Sequence, residues 1–122
     1  MRAPVACSGD LGLAPCTGEV AVSVSSGVTP TISWSPACGA MGMQVLSAAQ
    51  GGAAIWYIAT SDGTNRMGSP VTYGRTPANA TVLVAPQRLV VGQSYLAVIL
   101  RADDPGAGQT SISGTGSVSF TP

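Results

Sequence analysis

Apolar residues in this chain come in short runs, and every run is closed by glycine, proline or a small polar turn residue. Within the runs the period is two. Val20, Val22 and Val24 alternate with Ala21, Ser23 and Ser25. Ile32 and Trp34 alternate with Thr31, Ser33 and Ser35, and Pro36 ends the run because proline has no N–H for a ladder. Further runs read "MQVLSA", "AAIWYIAT", a short "SPVTYG", "ATVLVA", "SYLAVILRA" and "SISGTGSVSFTP". Period-two alternation is the mark of strands with one buried face. Short strands with turns every ~8–12 residues predict an all-β chain, an antiparallel β-sandwich of about seven strands. No helical periodicity of useful length competes with it. Residues 19–122 are expected to form one domain, preceded by a leader over residues 1–18.

Charge narrows the function. Only 8 % of residues are charged, and five cations balance five anions. Such a chain has no electrostatic reason to seek nucleic acid or an anionic membrane. Hydrophobic residues make up 45 %, too many for a disordered chain. There is no histidine, and all five cations are arginine. Imidazole general bases, Ser-His-Asp triads, histidine metal ligands and lysine Schiff bases are therefore excluded. The carboxylates are Asp10, Glu19, Asp62, Asp103 and Asp104. The adjacent pair Asp103–Asp104 sits in a Pro/Gly loop and reads as a solvated turn; calcium needs more oxygens than are local. "SDGTN", residues 61–65, is the strongest turn signal, read as a hairpin turn rather than a cation loop. Asn79-Ala80-Thr81 satisfies the glycosylation sequon, which matters only in a eukaryotic secretory host. No cofactor or metal is expected, and the chain is not expected to be an enzyme.

Three cysteines, Cys7, Cys16 and Cys38, leave one over. The economical arithmetic is a Cys16–Cys38 disulfide and a special Cys7, which implies an oxidising compartment; three free thiols are the alternative. "PVAC", ending at Cys7, resembles the close of a bacterial lipoprotein signal, although Pro4 stands where leucine is usual and no apolar stretch precedes it. A lipid on Cys7 would be the only link to a membrane. The expected location is secreted or bacterial cell envelope.

"LVVGQSY", Leu89 to Tyr95, has the L-x-x-G-x-x-Y spacing of the E–F corner in fibronectin type III domains. "TISWSP" resembles strand B of that family, with Trp34 as the core aromatic, and "SVSFTP" resembles its last strand. The resemblance covers roughly residues 19–122. It implies a fibronectin type III-like or immunoglobulin-like Greek key, with Trp34, Leu89, Gly92, Tyr95 and Phe120 as structural core and Trp34 set against Tyr95. The Tyr95 ring would pack inward while its hydroxyl bonds backbone upstream. The cysteine pair and the long segment from Ser61 to Pro77 depart from the family, and no Arg-Gly-Asp is present. With the Cys7 leader, the chain also resembles small envelope lipoproteins of bacteria.

Two runs carry more hydrophobicity than one face can use. If Tyr95, Ala97 and Ile99 point inward, Leu96, Val98 and Leu100 point outward. If Ile55 and Tyr57 point inward, Trp56 and Ile58 point outward. The family places both runs in one sheet, so Trp56, Ile58, Leu96, Val98 and Leu100 are expected to form an apolar patch. Exposing such side chains forgoes about 1.5–3 kcal/mol each, so something should cover them. The cover is either a partner or the chain's own residues 61–77 or leader. The first functional expectation is a non-catalytic interaction or structural module with a protein partner. The alternatives are a self-associating surface polymer, using this face or a strand edge, and a carbohydrate-binding module that stacks sugars on Trp56, Tyr57 or Tyr73.

Overall fold

The computed structural model describes residues 16, 18–61, 63–103 and 111–122. Cys7, Asp10, Asp62 and Asp104 lie outside the described residues. The fold is all-β. Eight strands are present among the described residues, against about seven expected: β1 (Ala21–Val24), β2 (Thr31–Ser35), β3 (Gly42–Ser47), β4 (Ala53–Thr60), β5 (Val71–Thr72), β6 (Ala80–Val84), β7 (Tyr95–Asp103) and β8 (Ser111–Phe120). The only helix among them is one 3-10 turn, Ala48–Gln50. Among the described residues no helix is long and apolar enough to cross a membrane.

The strands form two antiparallel sheets. One has the order β1-β2-β5, the other β6-β4-β3-β7-β8. A single apolar core joins them. Ile32, Trp34 and Val71 enter it from the first sheet, and Met43, Val45, Ala97 and Ile99 from the second. Both layers are apolar on their facing sides, so the arrangement is that of a β-sandwich.

Trp34 and Tyr95 are both buried in this core. Tyr95 stacks on Phe120, with ring centroids 5.6 Å apart. The Trp34 indole N–H donates to the Cys38 carbonyl at 2.9 Å. The Leu89–Tyr95 corner is held as its spacing requires. Leu89 is buried, Gly92 has φ +88°, and the Val90 N–H donates to the Tyr95 hydroxyl at 2.8 Å. A side chain at position 92 would meet the steric cost of the left-handed region.

The N-terminal segment is stapled to the fold. Cys16 and Cys38 form a disulfide. Cys16 N–H also donates to Gly39 O at 2.9 Å. Cys16, a residue that the sequence assigned to the leader, is therefore part of the packed fold. From there the chain crosses β8: Val20 N–H donates to Thr115 O at 2.9 Å, and the Thr115 hydroxyl donates to Gly18 O. Thr115 is the extra residue of a bulge, because Ile99 pairs with Gly116 and Leu100 with Gly114. The bulge frees Thr115 to reach out of the ladder. Gly116 lies under the crossing segment, where a Cβ would strike the Val20 carbonyl.

Asn65 fills a gap. β3 stops at Gly42, opposite Leu100, so Ala102 has no β3 partner. The Asn65 carboxamide takes the vacant position. Its Nδ2 donates to Ala102 O at 2.9 Å and its Oδ1 accepts from Ala102 N–H at 2.7 Å. The 61–65 turn that presents it does not join a hairpin, since β4 and β5 lie in different sheets.

Two consequences are measurable. Gly116→Ala should destabilise the fold by about 1–3 kcal/mol, because the obstacle is backbone. Gly114→Ala meets only a Val98 methyl at 3.8 Å and should be near neutral in the same urea titration. Replacing Cys16 and Cys38 together by serine should cost about 2–4 kcal/mol, read from the unfolding midpoint.

Candidate functional site

The side of the second sheet that faces away from the core is built from three cross-strand rows. One runs Val84, Tyr57, Gln44, Val98, Ser117. The next runs Thr81, Ala59, Gly42, Leu100, Gly114. The third runs Ala54, Leu46, Leu96, Ser119. The centre is apolar, Gln44 is its one polar side chain, and serine and threonine form much of the rim. No charged side chain stands in these rows. A second hydrophobic cluster, Met41, Ala59, Leu100 and Ala102 with Tyr57 and Val98 packed against it, sits at one end of the face. Leu100 is buried there, while Leu96, Val98, Tyr57 and Leu46 are half-buried.

Two clefts open beside β7. One of about 240 Å³ is lined by Leu46, Leu96, Tyr95 and Ser119. The other, of about 450 Å³, lies between Glu19, Val98 and residues 114–117.

Two of the five expected surface residues are not there. Trp56 and Ile58 are each 0 % exposed and belong to the inter-sheet core. The reason is a bulge. Val45 pairs with Trp56 and Leu46 with Ala54, which leaves Ile55 without an opposite residue. The insertion turns both Ile55 and Trp56 inward and reverses the parity beyond it, so Tyr57 and Ala59 take the outer positions. The Trp56 indole N–H has no hydrogen-bond partner among the described residues. Burial and a T-shaped contact with Tyr73, centroids 5.0 Å apart, hold the ring.

The sugar-stacking platform loses two of its three rings by the same finding, since Trp56 and Tyr73 are both buried. Residues 63–77 contribute to the inter-sheet core. They send Met67, Val71 and Tyr73 into the core between the sheets, and Met67 exchanges backbone hydrogen bonds with Ala40 at 2.8 and 2.9 Å.

Sequence reading missed the role of Tyr73. Its hydroxyl donates to Gln87 O at 2.5 Å. Gln87 N–H in turn donates to Ile55 O at 3.0 Å, and the Gln87 side-chain carbonyl accepts from Gln50 at 3.1 Å. Tyr73 thus ties together the two ends of the excursion that carries β6. Its burial as a core tyrosine could have been suspected from the apolar Val71 two positions away; its partner fourteen residues on could not.

Among the described residues no three His, Cys, Asp or Glu side chains come together as a metal-binding group. No known protein family, no curated protein and no solved structure matches this chain.

Burial, with a smaller contribution from the neighbouring Tyr95, pushes the Tyr73 hydroxyl from 10.0 up to about 12. The folded state therefore keeps this proton after the unfolded chain has released it. Stability from Tyr73 should be complete below pH 10 and fall as pH rises from 10 to about 12. Urea midpoints across that window should drop less steeply for Tyr73→Phe than for the parent.

Proposed function

We propose that this chain is a non-catalytic β-sandwich of the fibronectin type III-like or immunoglobulin-like kind, acting outside the cytoplasm as a protein-interaction or structural module. The observation that carries the reading is the outer face of the five-stranded sheet, apolar at its centre and without charge in its rows. A solvated sheet face normally alternates apolar-in with polar-out. Here Tyr57, Leu96, Val98 and Leu46 replace the polar residues that solvent would select. Tyrosine is a frequent interface anchor, because it brings a large apolar area and one hydrogen-bonding tip.

Three further features support the sandwich type and location. The division of strands into β1-β2-β5 and a sheet containing β4-β3-β7-β8 follows the fibronectin type III pattern, with β6 added at one edge. The Tyr95 corner has the hydrogen bond that such corners use. A disulfide favours an oxidising compartment, in keeping with a secreted or envelope protein. A lipid on Cys7 would make the domain membrane-anchored.

The test is site-specific crosslinking in the cells that make the protein. A photo-crosslinking residue at Val98 should capture a discrete partner, and the same residue at Ser23, exposed on β1 of the other sheet, should not. Equal capture at both positions, or none at Val98, would overturn the assignment of this face.

A further inference from the structure

Among the described residues, β6 is the outermost strand of the five-stranded sheet, bonded on one side to β4 and to no strand on the other. Beyond that pairing, the backbone of Thr81, Val82, Leu83 and Val84 has no hydrogen-bond partner among the described residues. Two of the chain's exposed large hydrophobics stand on this strand, Val82 at 42 % and Leu83 at 55 %. Leu83 is a bulged residue, because Tyr57 pairs with Val84 and Ile58 with Val82. No charged residue occurs between Arg75 and Arg88. Natural sheets usually blunt an open edge with lysine, an inward charge or a cover, since a bare edge is a template for another strand. This edge keeps only its short length, the bulge and two flanking prolines, Pro77 and Pro86.

We infer that the free edge of β6 pairs antiparallel with β6 of a second copy of this chain, about a two-fold axis. The inference deepens the reading of the chain as an interaction module by naming a partner and a second site. An open row of N–H and C=O groups calls for an extended backbone, which no globular apolar surface supplies. The strand is self-complementary. It is uncharged, so two copies do not repel, and the Val82–Leu83 pair of one copy meets the same pair of the other, an aliphatic cross-strand contact. Antiparallel pairing of identical strands is isologous and closes as a dimer. Pro77 and Pro86 end the shared ladder, because neither can donate to it. The opposite edge, β8, is crossed by the N-terminal segment through the Val20–Thr115 bond, which disfavours growth from that side.

The test is sedimentation velocity from micromolar to millimolar protein, with amide hydrogen exchange over the same range. The parent should dimerise, and exchange at Thr81–Val84 should slow as concentration rises. Leu83→Lys, at an exposed position, should keep the parent circular dichroism and weaken dimerisation by about tenfold or more. Val98→Glu, on the outer face, should leave it unchanged. A parent that stays monomeric at millimolar concentration overturns the inference, as does a dimer that survives Leu83→Lys without slowed exchange in β6. A dimer lost only in Val98→Glu overturns the edge pairing while leaving the outer face as an interaction surface. If Leu83→Lys fails to fold, the exchange profile of the parent decides alone.

Discussion

β7 has apolar side chains on both of its faces, and much of the molecule answers that constraint. Tyr95, Ala97 and Ile99 meet the first sheet across the core. Leu96, Val98 and Leu100 cannot join them, because a strand sends successive side chains to opposite sides. Leu100 is sheltered by Met41, Ala59 and Ala102. Leu96 and Val98 are only half-covered, between two clefts. Sheet stability and surface character are thus set together by one central strand. Substituting polar residues at half-covered Leu96 and Val98 would spare the inter-sheet core but remove what makes the surface distinctive.

The parts of the fold that follow from local chemistry were legible in the sequence. Alternation at Val20, Val22 and Val24 and at Ile32 and Trp34 needs no knowledge of the partner strand. The Leu89–Tyr95 corner is similarly local: a buried leucine, a glycine at positive φ and a tyrosine that bonds back five residues. The Cys16–Cys38 pairing also emerged, because only one arrangement stapled the early strands and left Cys7 outside. What failed was parity in β4. A bulge is a property of two strands in register, so nothing within "AAIWYIAT" announces that Ile55 and Trp56 both turn inward. On β7, Leu96, Val98 and Leu100 do point away from the inter-sheet core, though Leu100 is buried there, while along β4 the outward positions are displaced by one residue.

The remaining surprises are polar and long-range. Tyr73 reaches Gln87, Asn65 reaches Ala102 and Thr115 reaches Gly18, across separations of 14, 37 and 97 residues. Side chains of this kind look like ordinary turn or loop residues when read alone. Their value lies in satisfying backbone groups that irregular connections would leave bare. A chain with few charges has little else with which to fix its connections, so hydroxyl and carboxamide groups assume the positioning that ion pairs perform elsewhere.

Asn65 shows how narrow that chemistry is. Its carboxamide stands in for a missing peptide unit, giving one donor to Ala102 O and one acceptor to Ala102 N–H. Slow hydrolysis of the amide, the usual ageing of asparagine in solution, would leave a carboxylate with two acceptors and no donor. One oxygen would then confront the Ala102 carbonyl, and the seam between the 61–65 turn and β7 would open. A change of a single mass unit, invisible in overall composition, would thus act on the sheet at the position Asn65 patches.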